Sequence, residues 1–321
     1  MNKKLLSIIA VCILLVCCTS VFVGCQTPQE EYTVDFYMPD GTPALAAASV
    51  LNQYSFGKST TNFNIVKADQ ISGAFSAGAD LAIMPTIVAA KLYTNGAQVK
   101  LVSTNVFGNL FIVGVNTTVD SPADMVGKVL YVTVGTTLNL TKYILEQNDV
   151  SWAEGSEPQE GKVVFCSKAD GSEILPLLKQ AGQNEALAVL GEPQVTKAKS
   201  MINGLKTVID LQSEWKTITG FEGYPQASLV ATAEFCQNHA DYIKNLLTEM
   251  EKNATFLADN LSELPALFTR YESSLGGMTF DETTIANCNL RVERAKNVKN
   301  SVKDYLQRLA TAVDDNFFFE V

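Results

Sequence analysis

Asp80-Leu81-Ala82-Ile83-Met84-Pro85-Thr86-Ile87-Val88-Ala89-Ala90-Lys91-Leu92-Tyr93 reads as a strand, a turn and a helix in immediate succession. The apolar run up to Met84 has strand length and no helical periodicity. Pro85 lacks a main-chain donor and ends the ladder, and Thr86 opens a helical pattern that runs to Tyr93. The unit recurs along the chain. Val34 to Met38 reads as a strand, followed by Pro39-Asp40-Gly41-Thr42-Pro43 and a helix from Thr42 to Tyr54. Val129 to Val134 is followed by Gly135-Thr136-Thr137 and a helix to Asn148, and Leu187 to Leu190 by Gly191-Glu192-Pro193. Further strands are expected at 64–66, 99–104, 110–115 and 163–165, with a helix over 173–181. This alternation predicts an α/β chain with mostly parallel sheets and flanking helices.

The last third has a different texture. Ile243, Leu246, Leu247, Met250, Ala254 and Leu257 are spaced as one face of a long helix from Asn238 to Asn260, and another helix is expected over 292–312. Asn238 followed by Asp241 resembles a cap, which places the single histidine, His239, in an exposed first turn. A serine–histidine–acid site would need that residue, and no nucleophile elbow lies near it.

Four turns stand at strand ends: Asp40-Gly41-Thr42, Pro85-Thr86, Gly135-Thr136-Thr137 and Gly191-Glu192-Pro193. In open α/β sheets small molecules sit outside the carboxyl ends of the strands. Glycine lets a ligand approach the backbone, threonine offers a hydroxyl, and unpaired N–H groups at helix starts favour an anionic group such as a carboxylate or sulfonate. Each turn alone is ordinary helix punctuation; their recurrence in both halves of the chain predicts a shared cleft. None matches a phosphate-loop or dinucleotide pattern, so a nucleotide is not the expected ligand.

The amino terminus bears on location. Met1-Asn2-Lys3-Lys4 precedes an uncharged stretch from Leu5 to Gly24, and Cys25 follows. This is the pattern of an export signal. Phe22-Val23-Gly24-Cys25 resembles the bacterial lipoprotein cleavage box, although phenylalanine stands where that box has an aliphatic residue. The resemblance implies a signal peptide over 1–24, lipid on Cys25 and a tether over 25–30; an uncleaved membrane anchor is the alternative. The formal charge is −10, and losing Lys3 and Lys4 makes it more negative. Such a chain is a poor nucleic-acid binder. Cys166, Cys236 and Cys288 form no CxxC pair and no His-plus-carboxylate group accompanies them, so neither a metal site nor a cofactor is expected. Cys236 and Cys288 are read as free thiols or as a disulfide.

Taken in order, MPDGTPAL (38–45), DLAIMPTIVAAKLYTNG (80–96), the stretch from Asp120 to Thr137 and LAVLGEP (187–193) resemble the solute-binding lipoproteins of ABC importers. The branch is the nitrate/sulfonate/taurine and thiamine-pyrimidine one. The resemblance covers almost all of the chain beyond the signal. It implies a two-lobed type II periplasmic-binding-protein fold with a hinge of two crossings. The first lobe would be 31–115 plus 226–321, and the second 116–225. It also implies a monomer tethered to the outer face of the cytoplasmic membrane, with a small-molecule ligand and a permease with its ATPase as partners. An extracellular ligand sensor or interaction lipoprotein is the alternative role. An enzyme on this fold is disfavoured, because the cysteine-rich signature of the pyrimidine synthase relatives and acid/base groups are missing.

Carried over by residue, the resemblance puts Asp40, Gly41, Thr42, Met84, Pro85 and Thr86 at the ligand from the first lobe. Gly135, Thr136 and Thr137 face them from the second. Asn105, Phe107 and Asn109 would line the cleft near the hinge. Glu192 would bind ligand or anchor its lobe, and Phe221 and Tyr224 would stack on a flat ligand or pack in the core. No arginine lies in these turns; all four, Arg270, Arg291, Arg294 and Arg308, come late. A neutral or zwitterionic solute therefore fits better than a simple oxyanion.

Overall fold

The computed structural model describes residues 31–321; the signal segment 1–24, Cys25 and the tether 25–30 lie outside the described residues. The strands are β1 (Thr33–Pro39), β2 (Thr60–Val66), β3 (Leu81–Pro85), β4 (Val99–Val106), β5 (Leu110–Val115), β6 (Val129–Thr133), β7 (Trp152–Glu154), β8 (Val163–Lys168), β9 (Ala186–Gly191), β10 (Lys206–Asp210), β11 (Ala227–Thr232) and β12 (Leu290–Arg294). They form two six-stranded sheets, ordered β12-β4-β11-β3-β1-β2 and β10-β5-β9-β6-β8-β7. Both have helices on their faces.

Each sheet is mixed rather than mostly parallel. The strand–helix units give parallel pairs, β1 with β2 and β3, and β6 with β8 and β9. The strands next to the crossings run the other way: β5 is antiparallel to β9, and β11 to β3 and β4. A strand that the chain enters at a crossing, β5 or β11, starts at the joint and runs away from it, opposite to the strands that end there. This also moves a boundary. Residues 110–115, expected in the first lobe, are β5 of the second sheet. The chain crosses at Phe107–Asn109, where Gly108 has φ +89°, and returns between Gly220 and Gln226.

The expected helix over 238–260 is two helices, Ala240–Met250 and Asn253–Asp259, and a separate helix, Ala233–Asn238, ends where it was expected to begin. His239 (φ −131°, ψ 38°) separates that helix from the next. It stands at the N-cap position, half-buried, with its ring stacked 4.3 Å from that of Tyr32, and is not in an exposed first turn. Thr232 caps the helix before it by accepting from Phe235 N. The helix expected over 42–54 is likewise two, Thr42–Leu45 and Ala48–Asn52, separated where Ala47 N reaches only to Ala44 O. The helix expected over 292–312 is shorter, Ala295–Arg308, because its first residues belong to edge strand β12.

One apolar cluster continues from the first sheet (Ala82, Met84, Val230) to the second (Leu130, Leu187). Between them Trp215 packs edge-on against Tyr305 and Tyr224, each at 5.7 Å, and tilted against Tyr143 at 5.7 Å. One side of the joint between the sheets is therefore aromatic. Cys236 and Cys288 are buried, free thiols, and burial pushes Cys236 up to about 12. Among the described residues no helix is long and apolar enough to cross a membrane.

Candidate functional site

Strand register explains why four turns distant in sequence meet. Tyr37 of β1 lies beside Ala82 of β3, so the same step places Gly41 beside Thr86. Tyr131 of β6 lies beside Ala188 of β9, which places Val134 beside Gly191. Neighbouring strands are about 4.8 Å apart, so each sheet presents a pair of turns at one end. The pairs touch across the joint, where Thr42 Oγ1 donates to Glu192 O at 2.5 Å.

Two of these turns share an unusual start. Gly41 (φ 100°, ψ −142°) precedes the short Thr42–Leu45 helix, and Gly135 (φ 86°, ψ −133°) precedes the Thr136–Gln147 helix. Only glycine adopts that backbone without strain, and in both cases no side chain caps the helix. Some other helices are capped by a side chain, as where Asp170 accepts from Ser172 N, Asp210 from Gln212 N and Ser213 N, and Asp281 from Thr284 N; several, such as Thr86–Thr94 and Ala295–Arg308, are not, and the positive-φ glycine start is what sets these two turns apart. The first N–H groups of the Thr136–Gln147 helix have no partner within it. Gly135 is exposed, and a side-chain carbon added there would meet nothing within 4 Å. The turn is open to a ligand and lined by main-chain donors.

Asn109 holds the joint. It is 3% exposed. Its Nδ2 donates to Thr42 Oγ1 at 2.6 Å and to Glu192 O at 2.7 Å. Its Oδ1 accepts from Gln226 Nε2 at 2.8 Å, its N donates to Gln226 Oε1 at 3.1 Å, and its O accepts from Glu192 N at 3.0 Å. One amide thus binds both crossings, the first glycine-started helix and the end of β9.

Other residues expected at the ligand are spent elsewhere. Asp40 accepts from Gly41 N, Ser273 Oγ and Ser274 N, so it fastens its turn to the Ser274–Gly277 turn. Met84 is fully buried in the sheet core. The Thr86 hydroxyl pairs with Ser228 Oγ at 2.8 Å, while its N donates to Gln226 O; with Pro85 it contributes main chain only to the gathered turns. Asn105 is fully buried, its Oδ1 accepting from Leu229 N at 2.8 Å and from Ser103 Oγ at 3.2 Å. Phe107 is buried beneath the Arg291 guanidinium, 3.5 Å from the ring centroid. Tyr224, fully buried, donates to Gln212 Oε1 and packs against Trp215 and Tyr305, so it is a core residue. Phe221 is 37% exposed at the return crossing. Thr136 and Thr137 are half-buried at the open turn.

Gln226, Gln212 and Thr196 were not expected. The only local signal at Gln226 is a polar residue before an apolar strand, and its partner Asn109 lies 117 residues away.

Glu192 is 4% exposed, and its carboxylate accepts from Thr196 N at 3.0 Å and Thr196 Oγ1 at 3.1 Å. It caps its own helix, while its main-chain oxygen makes the contacts across the joint. Burial raises its pKa above the ordinary 4.5, outweighing the bonds from Thr196. The sign follows. The unfolded chain releases this proton first, so the group's contribution to stability is full below 4.5 and is lost as pH rises through the raised folded value. Glu192→Gln should therefore gain on the native chain between about pH 4 and about pH 8. Thermal midpoints measured across that range check this; parallel curves for the two proteins contradict it.

No protein-family model matches the chain, and no curated protein matches it. Solved structures do. An ABC transporter structure from Parabacteroides distasonis superposes with a TM-score of 0.70 at 20% identity, over 90% of this chain and 99% of that one. The periplasmic aliphatic sulphonate binding protein SsuA from Escherichia coli gives 0.65 at 13% identity, over 90% and 92%. A Candida albicans protein described as having the generic periplasmic binding protein fold gives 0.55 at 12%, over 89% and 93%. With two mixed sheets, direct crossings between them and strand-end turns gathered at their joint, this chain has the periplasmic-binding-protein fold.

Proposed function

We propose that the chain captures a small polar solute between its two sheets and delivers it to an ABC importer, without chemistry of its own. The observation that carries this is the pair of glycine-started, uncapped helices brought to one joint. The unpaired main-chain donors at the start of the Thr136–Gln147 helix and the hydroxyls of Thr136 and Thr137 suit recognition of a small molecule, and hinge closure is a known way to enclose one. The structural likeness to the ligand-binding protein SsuA supports the same reading. The lobes would be 31–106 plus 226–321, and 110–220, joined by the two crossings. Lipid on Cys25 would hold the protein at the outer face of the membrane, in reach of a permease.

A neutral or zwitterionic solute remains the better fit. The two acids of the gathered turns, Asp40 and Glu192, are engaged with protein donors. The rim carries both signs: Asp170 is held low by Ser172 and, more weakly, by Lys67 from beyond the end of β2.

The test is a thermal-shift screen of residues 26–321 against vitamins and their precursors, amino acids, sulfonates, polyamines and nucleobases. A ligand that binds only the native state raises the midpoint. Gly135→Val, which forces a branched side chain onto φ +86° at the open turn, should weaken binding of the best compound by about tenfold or more, since 1.4 kcal/mol is a factor of ten. Unchanged affinity in that variant would remove this turn from the site.

A further inference from the structure

Each sheet ends in two edge strands, β12 and β2 in the first, β10 and β7 in the second. An edge presents unpaired main-chain groups, and proteins blunt it with charge, shortness or a bulge. Three of these four edges are blunted. β12 carries Arg291, Glu293 and Arg294, and its register slips against β4. β10 carries Lys206 and Asp210 and slips between Thr207 and Ile209. β7 has three residues and ends in Glu154. β2, Thr60-Thr61-Asn62-Phe63-Asn64-Ile65-Val66, has seven residues without a charge, proline or glycine, and its register with β1 is unbroken.

That register fixes which groups of β2 are free. Thr60 N donates to Tyr32 O and Val66 O accepts from Asp40 N, so the even-numbered residues turn their main chain to β1. Thr61, Phe63 and Ile65 turn theirs outward, and among the described residues their N–H and O make no hydrogen bond. Along the same edge Tyr54, Phe56, Phe63 and Ile65 form a half-buried apolar row on the core of the first sheet.

We propose that β2 pairs antiparallel with β2 of a second copy of this chain, joining the two first sheets across a two-fold axis at Phe63. This replaces the monomer that the family resemblance implies. The strand is self-complementary about that residue. Phe63 faces its counterpart and Thr61 faces Ile65 as hydrogen-bonded pairs, which gives about six main-chain hydrogen bonds. Asn62 faces Asn64 with the side chains close, and their amides can bond each other. The ends suit each other too. Glu31 and Lys58 at the start of one strand come near Lys67 and Asp69 at the end of the other, so each end brings one charge of each sign, although the chain as a whole has a formal charge of −10. Such a contact is isologous and closes at two copies. It is also small, so the dimer is weak and grows with concentration.

The experiment uses residues 26–321, the form of the ligand screen, with no solute added. Sedimentation velocity over a wide range of concentration reads the association, and amide-resolved hydrogen exchange reads the edge. The native chain should pass from monomer to dimer, and exchange at Thr61, Phe63 and Ile65 should slow as it does. Two double variants change the facing pairs from the solvent side, where Asn62 is exposed and Asn64 half-buried. Asn62→Lys with Asn64→Lys sets like charges opposite each other and should weaken the dimer about tenfold. Asn62→Lys with Asn64→Asp sets unlike charges there and should hold it at native strength or better. A chain that stays monomeric throughout, or a dimer that the first variant leaves unchanged, would overturn the proposal. So would protection of the three amides already in the monomer, since the edge would then be covered by the chain itself. Should the first variant fail to fold, the concentration dependence of those amides in the native chain decides.

Discussion

Gly223→Ala is expected to lower the thermal midpoint by about 10 °C, the shift that a loss of roughly 3–5 kcal/mol produces in a chain of this size. Two costs add. Gly223 has φ +90°, where a residue with a side chain loses about 1–2 kcal/mol. The added carbon would also lie 2.2 Å from Phe107 O and 3.1 Å from Asn289 Nδ2. Overpacking typically costs about 1–3 kcal/mol when neighbours can shift, and these are held. Phe107 N donates to Asn289 O, Asn289 Nδ2 donates to Phe107 O at 2.6 Å, and Arg291 lies on the phenyl ring. Gly223 is where the return crossing passes over the outgoing one, so the substitution drives the two crossings apart. Gly220→Ala is the control. It ends the Leu211–Thr219 helix at φ +79° with nothing within 4 Å of the added carbon. It should cost only the backbone strain, about 1–2 kcal/mol. Circular-dichroism melts of the two variants separate strain from collision; equal losses would mean that the crossings have more room than their geometry gives them.

That collision was invisible in the sequence, and the reason generalises. What local pattern determines was readable: β1, β3, β6 and β9, each closed by Pro or Gly and followed by a helix-start residue, stand where their apolar runs predicted. Within each sheet the turns pair as the strand–helix repeat implies, and across the joint the Thr42 and Glu192 turns touch. What was misread depends on contacts remote in sequence. β12 is short and polar, LRVER, and becomes a strand only because the edge of β4 is there to pair with it. Leu110 to Val115 looks the same whichever sheet it joins, so its placement waited on β9 and β10. The long 238–260 pattern kept its apolar period through the break between Met250 and Asn253, since periodicity reports the buried face and not the continuity of the helix. In the site the main-chain features were legible and the side-chain roles were not. Gly41 and Gly135 announce their turns by residue type. Asp40, Thr86 and Tyr224 are chemically able to touch a ligand, and the residues that occupy them instead, Ser273, Ser228 and Gln212, are set by the fold.

Asn109→Asp tests the joint itself, and its effect should depend on pH. The substitution preserves shape and leaves an oxygen for Gln226 Nε2. It replaces the amide donor with a carboxylate oxygen facing Thr42 Oγ1, at 2.6 Å, and Glu192 O, at 2.7 Å. A buried charge without a countercharge costs about 3–5 kcal/mol, and no cation bonds to Asn109 here to offset it. Thr42 can turn its hydroxyl toward the new carboxylate only by giving up its bond to Glu192 O. The repulsion falls on the hydrogen bonds that tie the two sheets at their polar side, while the aromatic side, Trp215 against Tyr305 and Tyr224, is left intact. The expected result is a joint that opens on the polar side and pivots on the aromatic one. Small-angle scattering should show a larger radius of gyration at neutral pH, together with a lower melting midpoint and weaker binding of whichever solute the screen identifies. Acidification should reverse much of this. The introduced carboxyl has a raised pKa in the folded chain, and once protonated it regains an O–H donor for Glu192 O. Its penalty is absent below the ordinary aspartate range, near 3.9, and grows as pH rises through the raised folded value. A variant whose radius and midpoint match the native chain at neutral pH would show that Asn109 does not hold the sheets together. A midpoint lowered equally at acid and neutral pH would trace the loss to lost packing and not to charge at the joint.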